Sequence, residues 1–177
     1  YRSHAKSGDL VFVTGSLGSA CAGLYILQHD LQVEDRDYFI NRHQMPQPRI
    51  DFAESLQKVE RLALNDISDG LGSEAHEIAE ESNVSIVIYD HHVPVHPSFI
   101  NFPNELQQEW KYFGGEDFEL VGTVPESDWE FVQEAARKMD LPVTMIGRVI
   151  NKCEHPVYVK EKDILRPLKK AGYTHLK

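Results

Sequence analysis

The chain has 177 residues, 41% hydrophobic and 26% charged, which is enough apolar material for one buried core. Its 18 Lys and Arg stand against 28 Asp and Glu, and the formal net charge of −10 disfavours polyanions such as nucleic acid. No apolar run reaches membrane-spanning length. The opening Tyr1-Arg2-Ser3-His4-Ala5-Lys6 lacks a signal-peptide stretch and does not begin with Met, so the chain reads as an excerpt or a processed piece. Cys21 and Cys153 have no Cys-x-x-Cys spacing, which points to free thiols in a reducing cytosol.

In chain order, Leu10-Val11-Phe12-Val13 reads as a short buried strand ending at Thr14-Gly15. A helix is expected over 20–28, with Ala20, Leu24 and Leu27 on one face. Residues 32–49 read as polar and irregular, closed by Pro46 and Pro48. Asp51 or a neighbour caps a helix to about residue 58, and Leu71, Ala75, Ile78 and Ala79 predict another helix ending at Ser82-Asn83. Strands are expected at 84–89, 118–124 and 143–149, an amphipathic helix at 128–139, and an edge strand at 157–159. The segment 91–109, with prolines at 94, 97 and 103, reads as loop. Interleaved strands and helices predict an α/β or α+β sandwich.

Two acidic clusters carry the chemistry. In Asp66-Ile67-Ser68-Asp69-Gly70, Ser68 or Asp69 can cap the following helix, whose positive end also suits a phosphate. Two carboxylates across such a turn suit Mg²⁺, which is commonly held by one or two carboxylates plus substrate phosphates. A capped helix with a spare solvated Asp is the bland alternative. In Gly114-Gly115-Glu116-Asp117-Phe118-Glu119-Leu120, glycine lets backbone approach a ligand, and three acids within four residues repel unless solvent, a cation or a cationic ligand balances them. An ordinary acidic turn would look the same. Gly15-x-x-Gly18 departs from the phosphate-loop and dinucleotide fingerprints and fits tight strand-to-helix packing better. Asp90-His91-His92 with His96 has zinc-ligand residue types, but its proline-rich setting favours a surface segment. Neither cysteine sits where a nucleophile would be activated.

Taken in order, Val13-Thr14-Gly15-x-Leu17-Gly18-x-Ala20, Pro46-x-Pro48-Arg49, both acidic clusters and Gly172-Tyr173-x-His175 resemble the thiamine-monophosphate kinase family over nearly the whole chain. The wider group includes aminoimidazole ribonucleotide synthetase and selenophosphate synthetase. The resemblance implies an α+β fold, an α/β/α three-layer structure with a mixed β-sheet flanked by helices. Residues 1–177 would form a single domain, the carboxy-terminal half of a two-domain kinase whose amino-terminal domain is absent from this chain. It further implies ATP-dependent phosphorylation of thiamine monophosphate to thiamine diphosphate, in line and assisted by Mg²⁺, by a cytoplasmic enzyme that is a homodimer at full length.

Carried over by position, Asp66 and Asp69 would be magnesium ligands, and Ser68 and Arg2 would touch ATP. Glu116 would face the cationic thiazolium, and Tyr173 would wall the thiamine rings. Leu176 replaces a frequent aromatic, and Asn83 replaces a usual glycine, a position Asn tolerates because it can turn left-handed. A ligase of the aminoimidazole ribonucleotide synthetase type and a non-catalytic module for thiamine phosphates remain as alternatives. The isolated chain is expected to be inactive, since phosphoryl transfer depends on positioning that half a site cannot supply.

Overall fold

Alternation within Leu10–Thr14 (β1) sends Val11 and Val13 to one side of a sheet and Phe12 to the other. The computed structural model describes residues 2–170. After β1 come helices α1 (Ser19–His29), α2 (Arg36–Gln44) and α3 (Ile50–Ser55), then strand β2 (Ala63–Ile67) and helix α4 (Leu71–Glu81). Strand β3 (Ser85–Tyr89), helix α5 (Asn104–Phe113), strand β4 (Glu119–Val124) and helix α6 (Trp129–Lys138) follow. Strands β5 (Val143–Ile150), β6 (Val157–Glu161) and β7 (Ile164–Pro167) complete the described elements.

Among the described residues the strands form one seven-stranded sheet in the order β2-β4-β1-β5-β3-β6-β7. Neighbours are antiparallel except β3 and β6, which run parallel, so the sheet is mixed. On one face Val11, Val13, Ile67, Ile86 and Ile146 pack against Ala75, Ile78 and Ala79 of α4. On the other, Phe12, Leu120 and Val124 pack against Phe52 and Leu56 near α3 and Val132 and Ala136 of α6. These layers are the expected α+β arrangement. A third cluster joins Ala22 and Ile26 of α1, Phe39 of α2, Phe99, Phe102 and Trp110 of α5.

Several local expectations are corrected. Residues 36–44 are helical, although Phe39 alone of them is buried, because α2 lies along α1, where Gly23 leaves room for the Phe39 backbone. Residues 104–113 form α5 with Trp110, Lys111 and Tyr112 buried, and short 3-10 turns at 90–92 and 97–101 precede it. Strand β6 is interior, since the exposed β7 takes the edge beside it. No side chain caps α3 or α4, so the proposed capping by Asp51, Ser68 or Asp69 is absent; Gly70 precedes α4 with φ 99°.

The topology also places the motifs. Strands β1 and β2 both run antiparallel to β4, so the ends of β1 and β2 meet the start of β4. Thr14-Gly15, Ile67-Ser68-Asp69 and Glu116-Asp117 therefore sit at one end of the sheet.

Candidate functional site at the sheet end

The two acidic stretches are joined through their backbones. The Glu116 N–H donates to the Ser68 carbonyl at 2.8 Å, and the Phe118 N–H donates to the Ile67 carbonyl at 3.1 Å. Glu116 and Phe118 take left-handed backbone angles of 65° and 50° to make this turn. Next to it, Gly70 packs against the end of α5; a Cβ there would come 2.8 Å from the Phe113 carbonyl carbon. Asp66, Asp69 and Glu116 are exposed, and their carboxylates have no partner among the described residues. Ser68 is half-buried and its hydroxyl is likewise unpartnered.

Asp66 opens onto a cleft of about 540 Å³ lined also by Pro48, Arg49, Ile50, Phe118 and Leu120. Glu116 faces a recess with Cys21, Leu24 and His43. Arg2 lies elsewhere. It donates to Asn65 at 3.1 Å and pairs with Glu77 at 2.8 Å, on the α4 side of β2, whereas Asp66 faces the α3 side. The expected aromatic wall at Tyr173, with Gly172, His175 and Leu176, lies outside the described residues.

Of the three neighbouring acids expected to need solvent, a cation or a cationic ligand, two are balanced inside the fold, Asp117 by backbone N–H groups and Glu119 by two arginines. Asp117 is 1% exposed and accepts the N–H groups of Gly18 at 2.6 Å and Ala20 at 3.0 Å, closing the amino end of α1. Burial pushes its carboxyl up to about 7, against the pull of those two donors. Glu119, also 1% exposed, accepts from the Thr14 hydroxyl at 2.6 Å and Arg42 at 2.8 Å. Arg49 grips it with a fork, Nε at 2.9 Å and Nη2 at 2.7 Å. The sequence reading paired neither Arg42 nor Arg49 with Glu119; the cue was that Glu119 opens a buried strand and needs a positive partner.

Glu74 was also missed. It is buried in the first turn of α4, bonded to the Asn65 amide, and accepts the Asp69 N–H at 3.4 Å. Burial, then the nearby Glu77, raises its carboxyl to about 7. Both cysteines are free thiols, and burial raises Cys21 to about 12, which removes it as a nucleophile. Among the described residues no three His, Cys, Asp or Glu side chains converge as a metal site, the Asp90–His96 segment included. Asp66 and Asp69 each offer a hard, unpartnered carboxylate, the donor type Mg²⁺ takes beside phosphates and water.

A mixed sheet between helical layers, with acidic and glycine-rich turns gathered at one end, defines the class. Residues 6–160 match the family described as AIR synthase related protein, C-terminal domain, and the chain belongs to it. Within that class it is similar to the thiamine-monophosphate kinase of Bacillus subtilis (strain 168), 44% identical over 181 residues, 99% of this chain and 55% of that protein. The crystal structure of thiamine-monophosphate kinase from Stenotrophomonas maltophilia K279a superposes with a TM-score of 0.82 at 27% identity, covering 89% of this chain and 52% of that one. The solved structure of AaThiL complexed with AMPPCP and TMP superposes at 0.79 with 33% identity, covering 99% and 53%. The chain spans about half the length of the curated relatives it matches.

Proposed function

We propose that this chain is the carboxy-terminal part of a cytoplasmic, homodimeric, two-domain enzyme that transfers a phosphoryl group from ATP to thiamine monophosphate, giving thiamine diphosphate. One observation carries the proposal: the unpartnered carboxylates of Asp66, near the end of β2, and Asp69, in the turn after it, flank the backbone bonds that join this segment to the turn presenting Glu116. The similarity to thiamine-monophosphate kinases, and to a structure holding AMPPCP and TMP, supports it.

In this reading Asp66 and Asp69 hold Mg²⁺, which when bound would screen the mutual repulsion of the two phosphate groups. Ser68 offers its free hydroxyl to a phosphate oxygen of ATP. Arg2 is held by Glu77 and Asn65 on the other side of β2 from Asp66 and takes no part in this reading. Glu116 offers its carboxylate to the cationic thiazolium; the expected aromatic wall at Tyr173 lies outside the described residues. The backbone bonds between the two turns fix the spacing of these groups before ligands arrive, the kind of pre-orientation that supplies on the order of 7–11 kcal/mol in well-aligned reactions.

The test is Asp69→Asn in the full-length enzyme, read by calorimetric titration with AMPPCP and Mg²⁺. Metal-dependent nucleotide affinity is expected to fall at least about tenfold, roughly 1.4 kcal/mol. Thermal stability should hardly move, because the Asp69 side chain caps nothing. Unchanged affinity would remove Asp69, and with it the proposed site.

A further inference from the structure

We propose that the cleft between the Gly15 turn, α2 and residues 94–97 is a second, metal-independent site, for an oxyanion carried on an apolar or heteroaromatic body. The cleft measures about 750 Å³, a volume suited to a small organic ligand. Its floor is formed by Arg42, Arg49 and Glu119. Two guanidinium groups share that one buried carboxylate, so one positive charge is left over. The other acid close to Arg42 is Asp117, and its carboxylate is already committed to the Gly18 and Ala20 N–H groups. A local positive excess in a chain of net charge −10 concentrates anions at that spot.

The donors are available as well as the charge. Arg42 spends Nη2 on Glu119 and the Asp117 carbonyl, while its Nε is buried without a partner. Arg49 spends Nε and Nη2 on Glu119. The Nη1 groups of both arginines have no partner among the described residues, leaving planar donors of the kind that recognise carboxylate or phosphate. The walls suit an apolar body. Met45 is 73% exposed at the rim, Val95 is exposed beside it, and Tyr38 stacks on His96 with ring centroids 4.1 Å apart. His96 and Tyr38 are the remaining titratable lining groups, and His96 lies 4.0 Å from Asp35. Arg49 lines this cleft and also the one beside Asp66, so residues 45–49 form the strap between them.

The experiment records the arginine Nε–Hε signals of the ¹⁵N-labelled chain, without Mg²⁺ or nucleotide, during separate titrations with inorganic phosphate, benzoate and phenyl phosphate. Saturable shifts at Arg42 and Arg49 are expected, with benzoate or phenyl phosphate binding at least fivefold more tightly than inorganic phosphate; the tighter of the two identifies the head group. Met45→Glu puts a negative charge at the rim without touching the floor and should weaken binding about tenfold. Asp69→Asn should leave binding unchanged, which separates this site from the proposed magnesium site. Shifts that fail to saturate or spread over surface lysines would mean an adventitious ion only. That result, or indifference to Met45→Glu, overturns the proposal.

Discussion

At the scale of single residues, the second acidic cluster divides its labour. Glu116 is left to solvent, while Asp117 and Glu119 are consumed by the fold, one closing α1 and the other tying Thr14, Arg42 and Arg49 to the start of β4. Removing one partner of a buried ion pair costs about 3–5 kcal/mol when the other charge is stranded. Arg49→Ala leaves Glu119 with Arg42 and Thr14, so a smaller loss of about 2 kcal/mol is expected. Glu119→Ala strands two guanidinium groups and should cost about 3–5 kcal/mol. Urea unfolding of both variants checks the order, and equal losses would refute the shared-carboxylate account.

Asp117 adds a pH dependence. Its carboxyl rises from 3.8 to about 7 in the folded chain, through burial first. The folded state therefore binds this proton more tightly than the unfolded state does. The resulting stability is complete below about pH 4 and is lost as pH rises through about 7. Asp90 has the opposite sign: the Lys111 and Tyr112 hydrogen bonds outweigh its burial and hold its carboxyl low, so its contribution is present above the usual carboxylate range and is lost in acid. Glu74, also raised to about 7, adds a contribution of the same sign, so the urea midpoint should decrease from pH 5 to pH 8, and Asp117→Asn should make that slope shallower while lowering the midpoint overall.

At the scale of elements, the strands of the sheet interior were legible as continuous apolar or β-branched runs, and α4 and α6 by apolar residues at helical spacing. Helix α1 was legible as a helix, but it buries Ala22, Gly23 and Ile26 rather than the expected Leu24 and Leu27. Helix α2 was not, since Phe39 is its one buried residue and its stability comes from lying along α1. Helix α5 hid behind Pro94, Pro97 and Pro103, although the last of these directly precedes its first turn. The acidic turns were legible as glycine beside carboxylate. The fates of Asp117 and Glu119 were not, because Gly18, Arg42 and Arg49 are distant in sequence and only the β1–β4 pairing brings them close. The junction of α4 and α5 offers a test at this scale. Gly70→Ala adds a Cβ against the Phe113 backbone at φ 99°, a conformation L-residues resist. The variant is expected to lose about 2–3 kcal/mol of stability, within the range for such backbone strain, and to displace the Asp66–Asp69 turn. Urea unfolding reads the first effect, and Mg²⁺-dependent AMPPCP binding by the full-length enzyme reads the second, as a weakening of at least about fivefold.

At the scale of the whole molecule, the sheet gathers a pair of metal-suited carboxylates, a hydroxyl and an acid at one end, yet the described residues contain no convergent group of three metal ligands. The curated relatives are nearly twice as long as this chain. In-line phosphoryl transfer needs both phosphates neutralised and aligned at once, and the greater part of its acceleration comes from that positioning. In the proposed reading Asp66 and Asp69 would supply only part of a magnesium shell and leave the acceptor phosphate unaligned. The 177-residue chain by itself should therefore bind nucleotide weakly and turn over thiamine monophosphate at less than about one thousandth of the full-length rate, a deficit of roughly 4 kcal/mol in barrier. A coupled assay with ATP, thiamine monophosphate and Mg²⁺ measures this. Turnover by the chain at ordinary enzymatic rates would mean that the groups at this sheet end form a complete catalytic site.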